Sequence, residues 1–301
     1  MVVQLNFLRK MTKIEDKIIE YGDYYHKTTV SNLIPKTLPK TPKSKEGLFW
    51  INHNKKYELV PNKSIVVTSR EEYNILKNEK RLREEVNELV VENPRYVYSK
   101  ILDDLYGHLI NFYDVKLVDN SWNNRIGFNV YYGKDVTVGK NVNIGNNVTI
   151  YGNVIIGDDV TIGDNTIIGT CGLGFERLSD GTLFKFPQMG GVKIGDGVEI
   201  GTHCDIKRGT LGDTIISKGC KIGSYNNIGH NTFMGENCLI TVKCILCGSS
   251  KLGENVYMGT QSSVKENIII PNRTTIGGMS FVTKNFKEEG KTLIGVPAKI
   301  I

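Results

Sequence analysis

The stretch Ile216-Ser-Lys-Gly-Cys-Lys-Ile222-Gly-Ser-Tyr-Asn-Asn-Ile228-Gly-His-Asn-Thr-Phe-Met234 carries an aliphatic residue or Met at every sixth position. Helices repeat apolar residues every three to four positions and ordinary strands every two, so this period fits neither. It predicts a solenoid in which each hexapeptide forms one short strand and one turn, and three hexapeptides form a coil. The same period is kept at Val138, Ile144, Ile150, Ile156, Ile162, Ile168, Ile194, Ile200, Ile206, Ile240, Leu246, Leu252, Met258, Val264, Ile270, Ile276 and Val282.

The period divides the chain of 301 residues in two, because residues 1–125 lack it and residues 126–301 carry it. A chain of this length is sufficient for two folding units. The N-terminal part is predicted to be a small α/β domain that follows a Pro- and Lys-rich extended arm at residues 34–45. Its predicted strands are Leu48–Asn52 and Ser64–Thr68, and its predicted helices are Met11–Glu20, Glu71–Val91 and Asn93–Tyr106.

Two interruptions of the period are predicted to be irregular structure. Residues 170–191 form a loop that leaves the solenoid, and Lys207–Asp213 forms a local bulge. Loops on a rigid scaffold often carry binding residues, so Phe175 and Gln188 are expected to contact substrate. The alternative is that the loop packs against a neighbouring subunit.

Composition excludes several classes of protein. The net charge of +6 comes from 38 basic and 32 acidic residues spread along the chain, which argues against nucleic-acid binding. Neither a signal peptide nor an apolar run of membrane-spanning length is evident, so a cytoplasmic protein without membrane insertion is expected. Cys220, Cys238 and Cys244 differ by multiples of six, which predicts packed thiols rather than disulfides or metal ligands, and no metal site is expected.

His230 is the residue in the repeats that is best placed for chemistry. It follows the inward-facing Ile228 and Gly229, at a corner of the coil, and Gly248 lies one coil of eighteen residues further along the same edge. A base beside a free backbone amide suits acyl transfer: the imidazole takes a proton from an amine or hydroxyl, and the amide stabilises the oxyanion. The alternative is an ordinary surface histidine, and His203 is predicted to have a structural role.

Several motifs resemble the UDP-3-O-acylglucosamine N-acyltransferases of lipid A synthesis, which are left-handed parallel β-helix acyltransferases. The motifs are Gly172-Leu-Gly-Phe175, Phe186-Pro-Gln188, Ile194-Gly-Asp-Gly-Val-Glu-Ile-Gly201, Asp205-Ile-Lys-Arg-Gly209, Ile228-Gly-His-Asn231, Phe49-Trp-Ile-Asn52 and Asn93-Pro-Arg95. The resemblance covers most of residues 45–298. It implies a mainly β fold, a left-handed parallel β-helix with a small N-terminal α/β domain.

The resemblance also implies roles for particular residues. His230 becomes the general base, with Asn231 beside it, and the Gly248 amide the oxyanion donor. The N-terminal domain becomes the nucleotide-sugar-binding domain, in which Phe49 stacks on uracil next to Asn52, although core packing in a strand is an equal alternative for Phe49. The family's proteins are homotrimers with active sites at subunit interfaces.

Three differences from the family shape the expected reaction. Asn267 replaces a second histidine of the family near the donor phosphate, and the N-terminal domain begins differently. The ending Gly295-Val-Pro-Ala-Lys-Ile-Ile301 resembles that of coenzyme A-dependent sugar acetyltransferases. That resemblance places Pro297 and Lys299 near the adenosine phosphate. The expected reaction is therefore transfer of acetyl from acetyl-CoA to the amino group of a UDP-linked or dTDP-linked amino sugar. One alternative is the lipid A enzyme, which uses the phosphopantetheine thioester of an acyl carrier protein (acyl-ACP). Another is a trimeric binding module without catalysis.

Overall fold

The computed structural model describes residues 22–25, 47–51, 54–106, 115–117 and 125–301. The chain divides into two compact units, one made of Met1–Leu109 with Gly174–Pro187 and the other of Ile110–Leu173 with Gln188–Ile301. Most of the interruption that was predicted to be a loop of the solenoid therefore belongs to the N-terminal unit. The predicted helix at Met11–Glu20 and the predicted arm lie outside the described residues.

The N-terminal unit contains a four-stranded sheet with helices on its connections. The strand order is β1 (Asp23–Tyr25), β4 (Val86–Val91), β3 (Ser64–Ser69) and β2 (Leu48–Trp50), with β2, β3 and β4 parallel and β1 antiparallel to β4. The Ser69 hydroxyl accepts a hydrogen bond from the Glu72 amide and caps the first helix, and the Asn93 carboxamide caps the second in the same way. The elements are β1 (Asp23–Tyr25), β2 (Leu48–Trp50), a 3₁₀ helix (Asn54–Leu59), β3 (Ser64–Ser69), α1 (Arg70–Asn78), β4 (Val86–Val91) and α2 (Pro94–Tyr106).

The prediction of one helix over Glu71–Val91 is wrong. Helix α1 ends at Asn78, and Lys80 adopts a positive φ of 54° that stops further helical turns. The chain then forms β4, in which every residue is buried. A strand covered on both faces shows no alternation of polar and apolar residues, so its period could not separate it from a helix.

A β-hairpin completes the N-terminal unit. Its strands are β14 (Phe175–Arg177) and β15 (Leu183–Lys185), which pair antiparallel. Glu176 forms an ion pair of 2.9 Å with Arg95 of α2, and the ring of Phe184 meets Tyr96 edge-on at a centroid distance of 5.2 Å. The hairpin is therefore held by one charged and one aromatic contact to the same helix.

The second unit is the predicted solenoid, with three sheets that are parallel except at one terminal strand in each of the first and third. The first sheet contains β5 (Val115–Leu117), β7 (Tyr131–Gly133), β10 (Thr149–Ile150), β13 (Ile167–Thr170), β18 (Asp205–Lys207), β21 (Asn227–Ile228), β24 (Ile245–Leu246), β27 (Ser263–Val264) and β30 (Phe281–Val282). The second contains β8 (Thr137–Val138), β11 (Val154–Ile156), β16 (Val192–Ile194), β19 (Thr214–Ile216), β22 (Phe233–Met234), β25 (Lys251–Leu252) and β28 (Ile269–Ile270). The third contains β6 (Arg125–Ile126), β9 (Asn143–Ile144), β12 (Thr161–Ile162), β17 (Glu199–Ile200), β20 (Lys221–Ile222), β23 (Leu239–Ile240), β26 (Tyr257–Met258), β29 (Thr275–Ile276), β31 (Thr292–Gly295) and β32 (Ala298–Ile300).

The periodic residue of each hexapeptide points into the interior of the solenoid, in places together with the residue two positions before it. The periodic aliphatic residues from Ile144 onward are buried in one continuous core. Burying each such side chain contributes about 1.5–3 kcal/mol, so the stack is stabilised by many equivalent contributions. Cys204, Cys220, Cys238 and Cys244 are free thiols in the same core, which confirms their prediction as packed residues.

The corners use residues that tolerate a left-handed backbone. Asn147, Asn165 and Ser249 each follow the periodic aliphatic residue by three positions and have φ near +60°. Short polar side chains adopt this conformation at lower cost than bulky ones. Each corner amide then bonds to the neighbouring coil, as Ser249 does by donating to the His230 carbonyl at 2.7 Å.

Candidate active site around His230

His230 stands at the corner that follows β21, and its ring lies against backbone on two sides. A Cβ placed on Gly248 would lie 2.5 Å from the Nε2 atom of His230, and a Cβ placed on Gly172 would lie 2.5 Å from its Cδ2 atom. Both positions therefore require glycine for the ring to fit. The predicted pairing of His230 with Gly248 across one coil is present in the structure, and Gly172 is a neighbour that spacing did not reveal.

The Gly248 amide is free to bind a ligand. At some other corners the equivalent N–H donates to a side chain one coil away: Lys140 donates to Asp158 at 2.7 Å, and Glu254 to Asn272 at 2.9 Å. Within residues 125–301, no acceptor is found for the N–H of Gly248. An unbonded amide beside Nε2 is the arrangement that stabilises an oxyanion next to a base.

The other ring nitrogen of His230 contacts a small polar network. Its Nδ1 lies 3.1 Å from the Asn231 Nδ2 and 3.4 Å from the Thr210 hydroxyl. The Thr210 amide donates to the Asn231 Oδ1 at 2.6 Å, and the Thr210 hydroxyl lies 3.3 Å from the Oε1 atom of Gln188. Asn231, predicted to be catalytic, therefore contacts the ring nitrogen that points away from Gly248.

Burial controls the charge of His230. The ring is half-buried, and desolvation lowers the pKa of His230 below its ordinary value of 6.5. The imidazole is consequently neutral at physiological pH, as a general base must be.

Gln188 was predicted to contact substrate, and the structure corrects this. Its side chain is only 3% exposed, and it supports Thr210 instead. Phe49 requires a similar correction, because it is fully buried in a cluster with Tyr57, Val66 and Leu76. A ring enclosed in a core has no face available for uracil, so core packing, the alternative interpretation, accounts for Phe49.

The remaining predicted contacts are distributed over the molecule. Asn52 lies outside the described residues. Phe175 is partly exposed on β14, in the N-terminal unit. Asn267 is exposed at the corner one coil after Gly248, where its amide donates to the Gly248 carbonyl at 3.1 Å.

The last predicted pair, Pro297 and Lys299, is exposed at the terminal hairpin of β31 and β32. This hairpin lies on the coil of β30, two coils beyond Gly248, or about 10 Å along the axis. The structure therefore brings His230, Asn231, Gly248 and Gln188 into one network and leaves this pair apart from it.

Arg208 anchors the interruption next to His230. Its side chain is fully buried and donates to the Gly190 carbonyl at 2.8 Å and the Gly152 carbonyl at 2.9 Å, with the Gly169 carbonyl at 3.4 Å. Gly169 and Gly190 flank the insertion, so one guanidinium fixes both of its ends. The sequence gives a weak signal for this role, a lone arginine where the period fails.

Among the residues that the structure describes, no three His, Cys, Asp or Glu side chains gather closely enough to hold a metal ion. No described helix combines the length and the apolar character that crossing a membrane requires.

Comparison with known proteins supports the interpretation of the repeats. Residues 142–171 match the family model "Bacterial transferase hexapeptide (six repeats)". The chain is 36% identical over 129 residues to UDP-3-O-acylglucosamine N-acyltransferase 1 of Sulfurimonas denitrificans, covering 43% of this chain and 41% of that protein. It is 39% identical over 127 residues to UDP-3-O-acylglucosamine N-acyltransferase of Campylobacter lari, covering 42% and 39%. The matched part spans about two fifths of the length of these curated relatives.

Solved structures confirm the fold. LpxA from Acinetobacter baumannii matches with a TM-score of 0.55 at 21% identity, covering 62% of this chain and 71% of that one. UDP-N-acetylglucosamine acyltransferase from Campylobacter jejuni matches with a TM-score of 0.50 at 23% identity, covering 60% and 70%. The second unit is a left-handed parallel β-helix, and the chain is similar to the UDP-3-O-acylglucosamine N-acyltransferases over the matched part, as its motifs predicted.

Proposed function

We propose that this protein is an N-acyltransferase that moves an acyl group from a thioester to the amino group of a UDP-linked glucosamine, with His230 as general base. The names of the relatives specify a 3-O-acylated glucosamine as acceptor, and they favour the lipid A reaction over the acetyl-CoA reaction expected first from the sequence. The donor in this proposal is the acyl-ACP thioester. The nucleotide-sugar role of the N-terminal unit and the homotrimer remain predictions.

One observation carries the proposal: the Nε2 edge of a neutral imidazole lies against Gly248, a residue whose N–H has no acceptor within residues 125–301. The uncharged amine attacks the thioester carbonyl, forming the C–N bond, and its proton passes to Nε2 of His230. The carbonyl oxygen gains negative charge in the tetrahedral intermediate and accepts a hydrogen bond from the Gly248 N–H. Collapse of the intermediate breaks the C–S bond, and the imidazolium protonates the leaving thiolate.

The demand on the site is modest, because a thioester is already activated. Positioning of the two reactants and one base together supply several powers of ten in rate. Neither a metal nor a covalent enzyme intermediate is required in this scheme.

A comparison of two histidine variants tests the proposal. His230→Ala is expected to lower kcat by at least about a hundredfold. His203→Ala is the matched control, because His203 also occupies a solenoid corner but stacks on Tyr225 at a centroid distance of 4.8 Å. The assay measures N-acylation of UDP-3-O-acylglucosamine by mass spectrometry. Full activity in His230→Ala would overturn the proposed base. Loss of activity only in His203→Ala would place the active site at His203 instead.

The donor is tested in the same assay with two thioesters. Hydroxyacyl-ACP is expected to be used, whereas acetyl-CoA, the donor predicted first, is expected to be a poor substrate. Efficient use of acetyl-CoA would restore the small-acyl reaction and direct attention to the exposed Pro297 and Lys299.

A further inference from the structure

A neutral imidazole can act as a base only through its unprotonated nitrogen. The nitrogen of His230 that faces Gly248 is Nε2, so base catalysis there requires the single ring proton to be on Nδ1. The groups that touch Nδ1 therefore decide whether His230 is a base or merely a hydrogen-bond donor.

The first neighbour of Nδ1 favours the wrong tautomer. The Asn231 carboxamide is oriented by the Thr210 amide, which donates to its Oδ1 at 2.6 Å, so the Nδ2 group is the one turned to the ring. An amide nitrogen only donates. By itself, the Asn231 Nδ2 at 3.1 Å from Nδ1 would leave Nδ1 unprotonated and place the proton on Nε2.

The second neighbour has the opposite effect. The Thr210 hydroxyl lies 3.4 Å from Nδ1 and 3.3 Å from the Oε1 atom of Gln188, which only accepts. When the hydroxyl donates its one proton to Gln188, it presents lone pairs to Asn231 Nδ2 at 3.0 Å and to Nδ1. Gln188 is 3% exposed, so water does not compete effectively for its carbonyl.

Among the described residues, no Asp or Glu side chain forms a hydrogen bond or ion pair with His230. A neutral hydroxyl is therefore the acceptor available to Nδ1–H, and it still accepts that hydrogen bond when the ring becomes an imidazolium during the reaction.

We infer that Thr210, oriented by Gln188, is the positioning residue that holds His230 in the Nδ1-protonated tautomer required of a base. Of the two groups at Nδ1, only the Thr210 hydroxyl can accept its proton, and the catalytic meaning of this contact rests on the proposed function. Both residues lie where the repeat is interrupted, Thr210 in the stretch between β18 and β19 and Gln188 at the end of the insertion.

The tautomer is measured directly by ¹⁵N NMR of the histidine side chains in the full-length protein. Protonated and unprotonated ring nitrogens differ in chemical shift, and the His230 signals are those absent from His230→Ala. At a pH above the His230 pKa, the wild type is expected to show protonated Nδ1 and unprotonated Nε2. In Thr210→Val, which keeps the shape but lacks the acceptor, the pattern is expected to invert.

Two variants serve as controls. Thr210→Ser restores the hydroxyl and is expected to restore the wild-type tautomer. Thr202→Val removes a hydroxyl from another corner, where it bonds to Ser224 at 3.1 Å, and is expected to leave His230 unchanged. An Nε2-protonated ring in the wild type, or an unchanged pattern in Thr210→Val, would overturn the inference.

Kinetics supply the second readout. Thr210→Val is expected to lower kcat by about tenfold or more with KM within about twofold, and Thr210→Ser to recover it. If His230→Ala keeps its activity while the NMR result is as expected, the positioning role stands and the proposed base role falls. A Thr210→Val protein with the inverted tautomer and full kcat would overturn the catalytic meaning of the contact.

Discussion

Gly248 lies against the Nε2 atom of His230 because the two residues are eighteen positions apart, which is one coil of the solenoid. The strands before them, β24 and β21, are adjacent and parallel, with Asn227 paired to Ile245 and Ile228 to Leu246. Neither residue needs a special loop to meet the other. Their proximity is a property of the repeat, and it can be tested by substituting either residue.

Adding one methyl group to Gly248 is expected to disable the site. In Gly248→Ala the new Cβ would lie 2.5 Å from Nε2, so the ring must move. A displacement of about 1 Å lowers the rate by about a hundredfold, and this is the expected change in kcat. Gly212→Ala is the control, because a Cβ there meets nothing within 4 Å. Equal activity in both variants would show that the ring position is unimportant.

The pH dependence of the rate should report His230. The lowered pKa of His230 means that the ring stays neutral below pH 6.5 and protonates only at more acidic pH. Since only the neutral ring is a base, kcat/KM is expected to fall as the pH drops through this lowered value. A pH–rate profile measures it, and an acidic limb above pH 6.5 would contradict the prediction.

The same shift has a consequence for stability. The unfolded chain binds a proton at the ordinary histidine pKa, and the folded chain only at lower pH. Between the two values the unfolded state carries more protons, so the free energy of unfolding decreases as the pH falls through this window. His230→Gln should reduce this loss. Urea titrations at several pH values across the window give the slope of the free energy of unfolding against pH for the wild type and the variant. Identical slopes in the two proteins would refute the assignment of this pH dependence to His230.

Arg208 is expected to matter for folding more than for binding. Replacing it with Met leaves buried carbonyls at Gly152 and Gly190 without their donor, which is expected to cost at least about 3 kcal/mol. Arg273→Met removes an exposed ion pair to Glu289 and is expected to cost below about 1 kcal/mol. Denaturant unfolding distinguishes the two. Equal stability of the variants would mean that the insertion needs no anchor.

Phe49 provides a test of core packing against uracil binding. Phe49→Ala is expected to destabilise the N-terminal unit by about 3–5 kcal/mol, whereas Phe128→Ala, at an 83% exposed ring, changes little. Phe49→Leu keeps the core filled and is expected to leave UDP affinity unchanged in calorimetric titration. A stable Phe49→Leu protein with much weaker UDP binding would restore the stacking role.

Sequence reasoning was sufficient wherever the period holds. The period of six residues and the coil of eighteen predict the solenoid, its buried thiols and the proximity of His230 to Gly248. Thr210 and Gln188 were missed as partners of His230 because they lie where the hexapeptide period is interrupted. Residue spacing does not predict contacts in such a segment. In the N-terminal unit, Val86–Val91 was taken for helix because burial on both faces removes the alternation that marks a strand.

The unbonded Gly248 amide has a consequence for redesign of this scaffold. The oxyanion donor that we propose is left free by omission: no side chain of the coil that follows accepts a hydrogen bond from the Gly248 amide, whereas the Asn272 carboxamide accepts one from the Glu254 amide on another edge. Replacing Asn272 with glycine should expose that second amide on the same frame. The number of potential anion sites on such a solenoid is therefore set by how many of its ladder side chains are left out.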